Sequence, residues 1–434
     1  MLKRSERLST RYLSEVRDRY GETALLQMGP FRVALIHNPE DIHHVLVQNA
    51  RGYVKSRSYR GLALSLGSGL LTSEGELWRR QRRLSQPAFH PKRLEALCAT
   101  MVDCIERWLE TWERRSPASR RLDLHTAMLD VTLSIVGHTL FGLELGGESG
   151  QIGAALTCVA EHARRHTESL VRPPLWFPTP FHLRYHRSMR LFDDTVHEII
   201  RARRRNPVDR GDLLSMLMAA TGDSGTERMT DAQLRDEVMT FLTAGWETVA
   251  IATSWTFLAL SQHANATLRV RQEISRLGDR RIEFSDLAEL NYLNCVIQEA
   301  MRLYPPIWLF EREALEDDTL GGYRIPKGTI VAISPWTIHR SPLRWSEPER
   351  FDPDRFSPSR SQGRSRYAFI PFGAGPRICI GNQFAMMEAK LILAMVLRRF
   401  HVDVVTDPAP MPNARLTLRP FGGMPARISP RDDL

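Results

Sequence analysis

Long apolar runs are missing from this sequence of 434 residues. No stretch approaches the ~20 consecutive apolar residues that a membrane-spanning helix needs, and a mean hydropathy of −0.30 argues against a polytopic membrane protein. The opening residues, Met1-Leu2-Lys3-Arg4-Ser5-Glu6-Arg7, continue as polar, Arg-rich chain without an apolar core segment. The expectation is therefore no secretory signal, no integral membrane association, and a cytoplasmic protein. Cysteine is sparse too. Cys98, Cys104, Cys158, Cys295 and Cys379 are odd in number and form no C-x-x-C pair, which excludes a disulfide framework and points to reduced thiols. Lysine is nearly absent: five of the 59 basic residues are lysines, so 54 are arginines. These arginines are spread along the chain among Asp and Glu, with no basic tail. A net charge of +9 so distributed argues against a nucleic-acid partner and for a basic docking face toward an acidic protein.

A hydrophobic fraction of 42% is enough to bury a sizeable core. No internal repeat or low-complexity tract interrupts the chain. Residues from about Ala24 to His37 predict two short strands joined at Gly29-Pro30, and Asn38-Pro39-Glu40-Asp41 opens a helix. From Ser73 to about Phe400 amphipathic helical patterns dominate, broken at Arg172–Pro180, Asn206-Pro207 and Tyr304–Ile307. Short strands return around Gly322–Ile333 and after His401. The fold class predicted is mostly α with small peripheral β-sheets. The longest helix is predicted from about Asp231 to Gln262, with Thr230 and Gln233 at capping-box spacing.

The sharpest local signal is Pro371-Phe372-Gly373-Ala374-Gly375-Pro376-Arg377-Ile378-Cys379-Ile380-Gly381, leading straight into a helical segment from Asn382 to Arg399. A thiolate there meets free backbone N–H groups and the positive end of a helix dipole. Gly375 and Gly381 remove side chains where backbone has to approach something large and flat. Phe372 offers an apolar cover and Arg377 a cation for a carboxylate. The bland alternative is a buried cysteine acting as a small hydrophobe; a zinc site lacks a second ligand at suitable spacing.

Further patterns follow in order. Ala244-Gly245-Trp246-Glu247-Thr248 interrupts the apolar stripe of the long helix. Gly245 would open a slot for a diatomic ligand, Thr248 would hold it, and Glu247 would feed protons toward that hydroxyl. Alternatively Thr248 bonds a carbonyl one turn back and Glu247 is a solvated face. Glu299-Ala300-Met301-Arg302 places an acid and a base three residues apart, where Arg350 would contact the same carboxylate as part of a buried structural network; an exposed helix ion pair is the alternative. Trp78-Arg79-Arg80-Gln81-Arg82 puts Trp78 and Arg82 one turn apart.

Together these segments resemble the cytochrome P-450 superfamily, the haem-thiolate monooxygenases. The match extends through Pro348-Glu349-Arg350-Phe351 and Phe351-Asp352-Pro353-Asp354-Arg355-Phe356 and covers nearly the whole chain from about residue 20. The resemblance implies the triangular haem fold, with 1–434 as a single haem domain, 1–20 as an N-terminal extension and no fused reductase. It implies haem b ligated by Cys379, with Trp78, Arg82, Arg312 and Arg377 on the haem propionates and Phe372, Gly375 and Gly381 in the ligand loop. Ala244, Gly245, Glu247 and Thr248 become the oxygen-activation motif. Phe241, Leu242, Ile307 and Leu309 are expected to line the substrate pocket, although plain core packing explains each equally well. The Arg172–Pro180 stretch would connect two lid helices.

No ionisable residue falls at those pocket positions, so the expected substrate is apolar: a fatty acyl, terpenoid or polyketide-like molecule, as in secondary metabolism. The implied reaction uses O2 and two electrons from an acidic ferredoxin or flavodoxin with its reductase, in a monomer. Rival readings are peroxide-driven oxidation and a non-catalytic haem-binding sensor. An intact Glu247–Thr248 pair argues against the former, and retention of Gly245, Glu247 and Thr248 against the latter.

Overall fold

The computed structural model describes residues 9–114, 121–145, 151–168, 174–206, 208–221 and 228–431. At its centre lies one helix, Asp231–Gln262, the span expected from sequence. Its start is fixed by a reciprocal cap: Gln233 N–H donates to Thr230 Oγ1 at 3.2 Å, and Thr230 N–H to Gln233 Oε1 at 3.0 Å. From Val249 to Leu260 every residue is buried, as expected of a helix enclosed on all sides. At 1.5 Å per residue its 32 residues run about 48 Å, enough to cross the molecule. Leu124–Val136, Asn291–Leu303 and Asn382–Arg399 pack around it and share the main hydrophobic core.

The sheets are small and peripheral. Thr23–Met28 and Phe31–Ile36 form the expected hairpin. Phe31–Ile36 runs parallel to Ile330–Ile333, which pairs antiparallel with Phe310–Ala314, and Tyr53–Lys55 completes the five-stranded sheet. That register sets Lys55 opposite Arg312. Near the C-terminus, Pro412–Ala414 and Leu418–Pro420 form a hairpin, and Pro425–Pro430 pairs with both Arg121–Asp123 and Phe400–Val404. Residues 10–20, part of the expected extension, form the helix Thr10–Tyr20. It buries Leu13 and Val16 in a cluster with Leu35 and Trp308, and Arg17 donates to the Thr337 carbonyl at 2.9 Å. Residues 172–173 of the expected lid connection lie outside the described residues; the helices flanking it are Gln151–Glu168 and Pro180–Arg205. Among the described residues no helix is long and apolar enough to cross a membrane.

The Glu299–Arg302 pair is fully buried and bidentate, with Arg302 Nε donating to Glu299 Oε2 at 2.7 Å and Nη2 to Oε1 at 2.8 Å. A buried pair is tolerable only when its remaining donors are satisfied. Arg302 Nη1 donates to the carbonyls of His339 and Pro348, at 2.9 and 2.6 Å. The expectation for Arg350 needs correction. It contributes its carbonyl, which accepts from Arg302 at 3.1 Å, while its guanidinium is turned to the surface against Glu347. The second guanidinium at Glu299 belongs to Arg355, 3.4 Å away and 5% exposed. His339 then carries the network onward, because its Nε2 accepts from the N–H of Ile370 at 2.9 Å, immediately before the cysteine loop.

Candidate active site

Cys379 sits between that supported strand of loop and the helix Asn382–Arg399. Its own N–H donates to the Phe372 carbonyl at 3.0 Å, closing the loop on itself. Gly375 has φ +70°, and a Cβ there would come within 1.8 Å of the Leu46 carbonyl oxygen. Glycine is thus required here by close approach to the neighbouring chain. At Gly381 an added Cβ would make ordinary contact with Phe89, so this glycine matters through its N–H, which hydrogen-bonds Cys379. The Cys379 side chain is solvent-accessible. Desolvation pushes its thiol up, and the Gly381 N–H and the charge of Arg82 pull it back. Arg82 is anchored there by donating to the Ile378 carbonyl at 2.9 Å.

A cluster of cations lies beside this loop. Arg377 stacks over the ring of Trp78 at 4.1 Å, donates to the Ser73 carbonyl at 3.0 Å and pairs with Glu74. Burial lowers Arg377 to about 10, with Glu74 acting against the shift. Lys55, unmarked by any sequence motif, donates its Nζ to the Leu71 carbonyl, and its N–H bonds Glu74 at 2.9 Å. Burial, then Arg377 and Arg312, push the Lys55 ammonium well below the ordinary lysine range. Arg312 donates to the carbonyl of its neighbour Glu311 at 2.9 Å. Three cations so crowded, with Glu74 paired to Arg377 and bonded to the Lys55 N–H, favour further carboxylates.

On the long helix, Ala244 is exposed and Gly245 and Thr248 are partly so, in a stretch whose neighbours are buried. The open face is therefore the one carrying Ala244 and Thr248, one turn apart. Thr248 Oγ1 donates to the Ala244 carbonyl at 2.8 Å, the one-turn back-bond. A Cβ at Gly245 would meet Val136 Cγ2 at 3.2 Å, so its smallness serves helix packing. Glu247 is turned away from Thr248. Its Oε1 accepts from Thr417 Oγ1 at 2.7 Å and from Arg419, both on the C-terminal hairpin, and the residue is 4% exposed. His125, whose Nδ1 meets Ser254 Oγ at 3.1 Å, is lowered to about 4 by burial and then by Arg419.

Of the expected pocket residues, Phe241 is buried against Phe89 with ring centroids 5.6 Å apart. Leu242 lies about 200° round the helix from Ala244 and packs in the core, away from the open face. Ile307 is half-buried outside the core clusters, whereas Leu309 packs against the cluster beneath the five-stranded sheet.

A family model described as Cytochrome P450 matches residues 1–424. Cyclooctatin synthase of Streptomyces melanosporofaciens is 36% identical over 415 residues, covering 94% of this chain and 89% of that protein. Cyclooctat-9-en-7-ol 5-monooxygenase of the same organism is 35% identical, covering 89% and 83%. Pentalenene oxygenase of Streptomyces avermitilis is 34% identical, covering 92% and 88%. Among solved structures, the haem domain of cytochrome P450DA superposes with a TM-score of 0.89 at 25% identity, covering 98% of this chain and 95% of that one. Retinoic acid-bound cyanobacterial CYP120A1 gives a TM-score of 0.85 at 24% identity, over 97% and 94%.

The residues present fit a haem group. The thiol of Cys379 is flanked by an N–H and a guanidinium, cations suited to two propionates are gathered beside it, and the long helix opens at Ala244 and Thr248.

Proposed function

This chain belongs to the cytochrome P450 family and is a P450 monooxygenase with thiolate-ligated haem b, and from that premise we propose which residues do the work and on what. Bound haem, given O2 and two electrons, supplies insertion of one oxygen atom into an unactivated C–H bond. Cys379 is the thiolate ligand, and Arg82 and the Gly381 N–H are its charge-stabilising neighbours. Trp78, Arg312, Arg377 and the added Lys55 hold the propionates. Phe372 and Gly375 shape the ligand loop. Thr248 is the hydroxyl that positions oxygen, with Ala244 beside it and Gly245 allowing close helix packing. Glu247 is the proton source, reached from the side of the C-terminal hairpin.

The single observation that carries this reading is the pairing of an accessible Cys379, backed by N–H and guanidinium, with a central helix opened at Ala244 and Thr248. Residues 1–434 act as one haem domain. The substrate is an apolar small molecule of terpenoid type, read from pocket positions without ionisable side chains and supported by the terpenoid-oxidising relatives. Electrons come from an acidic ferredoxin or flavodoxin docking on Arg79, Arg80 and Arg83; Arg79 also pairs with Glu76, and Arg80 donates to the Arg228 carbonyl at 3.2 Å. A panel of sesquiterpenes, diterpenes, fatty acids and polyketide lactones, titrated into the ferric holoenzyme, tests the substrate class. A low- to high-spin shift with terpenes supports it, and shifts confined to the other classes overturn it.

A further inference from the structure

A short, widened turn of helix lies against the cysteine loop. Pro39–His43 starts as an α-helix behind its cap, Asn38, whose side chain accepts from the Glu40 N–H at 3.1 Å. From His44 to Gln48 it loosens into a π-turn, closed by the Asn49 N–H on the His44 carbonyl at 2.8 Å. Such turns are rare and recur at functional sites. Here the Leu46 carbonyl oxygen fills the space that a side chain at Gly375 would take. Val45 and Leu46 are buried in one cluster with Ile370, and Val47 and Ala374 pack against it. The ring of His43 stacks on Tyr367 with centroids 4.7 Å apart. Residues 43–47 therefore back the run from Tyr367 to Gly375 that delivers Cys379.

One carboxylate fixes this segment. Asp318, on the strand Asp318–Leu320, accepts at Oδ2 from the Tyr53 hydroxyl at 2.6 Å and from Asn49 Nδ2 at 3.0 Å. The same oxygen lies 2.9 Å from His44 Nε2. Burial opposes charge on Asp318, yet the bonds from Tyr53 and His44 hold it at about 2. His44 and Asn49 bracket the π-turn, one at its start and one just past its end. Tyr53 opens the strand Tyr53–Lys55, whose other end is Lys55 in the cation cluster with Arg377 and Arg312. Bonds to an ionised acceptor are stronger than neutral ones, so convergence on one oxygen holds all three donors in place.

We propose that Asp318 is a positioning residue for the haem ligand: by pinning His44, Asn49 and Tyr53 it seats the π-turn against Gly375 and so fixes where the Cys379 sulfur stands. The inference rests on the reading of Cys379 as the thiolate ligand. It adds that the ligand is placed from the N-terminal segment as well as from the Glu299–Arg302 network.

The test is the rate at which the red-shifted band of the reduced, CO-bound holoenzyme gives way to that of a neutral ligand, at one temperature below every thermal midpoint. Wild type is compared with Asp318→Ala and Tyr53→Phe. The control is Asp212→Asn, which weakens the buried pair with Arg203 at the helices Pro180–Arg205 and Leu213–Ala219. Asp318→Ala is expected to lose the band about tenfold faster than wild type and Tyr53→Phe about threefold faster. Asp212→Asn should lower the thermal midpoint and keep the wild-type rate, because a general loss of stability does not move the sulfur. A wild-type rate in Asp318→Ala, or an equal acceleration in the control, would overturn the proposal. If Asp318→Ala takes up no haem, Tyr53→Phe decides alone: acceleration supports the proposal and a wild-type rate overturns it. Wild type without the red-shifted band would remove the ligand reading itself, whereas a normal wild-type band with indifferent variants removes only this inference.

Discussion

Thr417 donates its hydroxyl to Glu247 Oε1 at 2.7 Å, across 170 residues of sequence. With Arg419 on the same oxygen, the hairpin Pro412–Ala414/Leu418–Pro420 is tied to the middle of the central helix. The acid next in sequence to Thr248 is thereby held on the hairpin side, while Thr248 bonds back to Ala244 at 2.8 Å. In the proposed role of Glu247 as proton source, its release from this hairpin precedes any transfer toward Thr248.

Thr417→Val leaves Glu247 with one partner fewer in a buried setting. A loss of about 1–3 kcal/mol in unfolding free energy is expected, the cost of an unsatisfied buried polar group. Urea titration of the holoenzyme checks it, and an unchanged midpoint would show the hydrogen bond to be dispensable.

Thr248→Ala removes the hydroxyl from the open face without touching the core. Reductant consumption should continue while product per reductant falls several-fold; Glu247→Gln should instead slow turnover by roughly 10²-fold, the scale of one lost proton-transfer group. Full coupling in Thr248→Ala would take the threonine out of the proton route.

Glu237 supplies a pH dependence. It is fully buried on the long helix, accepts only from the Leu70 N–H at 3.2 Å among the described residues, and burial, with Asp236 adding to it, raises it to about 7. Because this folded value lies above the unfolded one, the native state binds the extra proton. Stability therefore falls as pH rises from about 4.5 to about 7, by about 3 kcal/mol at most. Glu237→Gln keeps the acceptor for Leu70 and removes the titration. Its thermal midpoint should vary less over that range and exceed wild type at pH 8; parallel profiles would refute the assignment.

Arg350 and Arg355 separate cleanly. Arg355→Ala removes a buried cation 3.4 Å from Glu299 and should cost about 2–4 kcal/mol. Arg350→Ala touches an exposed pair with Glu347 and should stay within about 0.5 kcal/mol. Equal effects would mean that the side chain of Arg350 reaches the network after all.

What was legible in the sequence was local. The capping box at Thr230 and Gln233 marks a helix start whatever surrounds it, and the loop Phe372 to Gly381 carries its chemistry within ten residues. Directions taken from the tertiary fold were not legible. Arg350 and Arg355 share one short segment, and spacing alone does not say which guanidinium turns inward. Glu247 looked poised for Thr248 because the two are adjacent in sequence, yet adjacent helical residues point about 100° apart and Arg419 arrives from 172 residues away. Lys55 reaches Arg312 only through strand register. At Gly245 a missing side chain does not announce its packing neighbour, here Val136.

The proposed bond between Cys379 and iron is tested most directly by the absorption spectrum of the reduced, CO-bound holoenzyme. A strongly red-shifted Soret band that Cys379→Ser abolishes is the predicted result. A band at the position typical of histidine ligation, or one that survives the substitution, would contradict it.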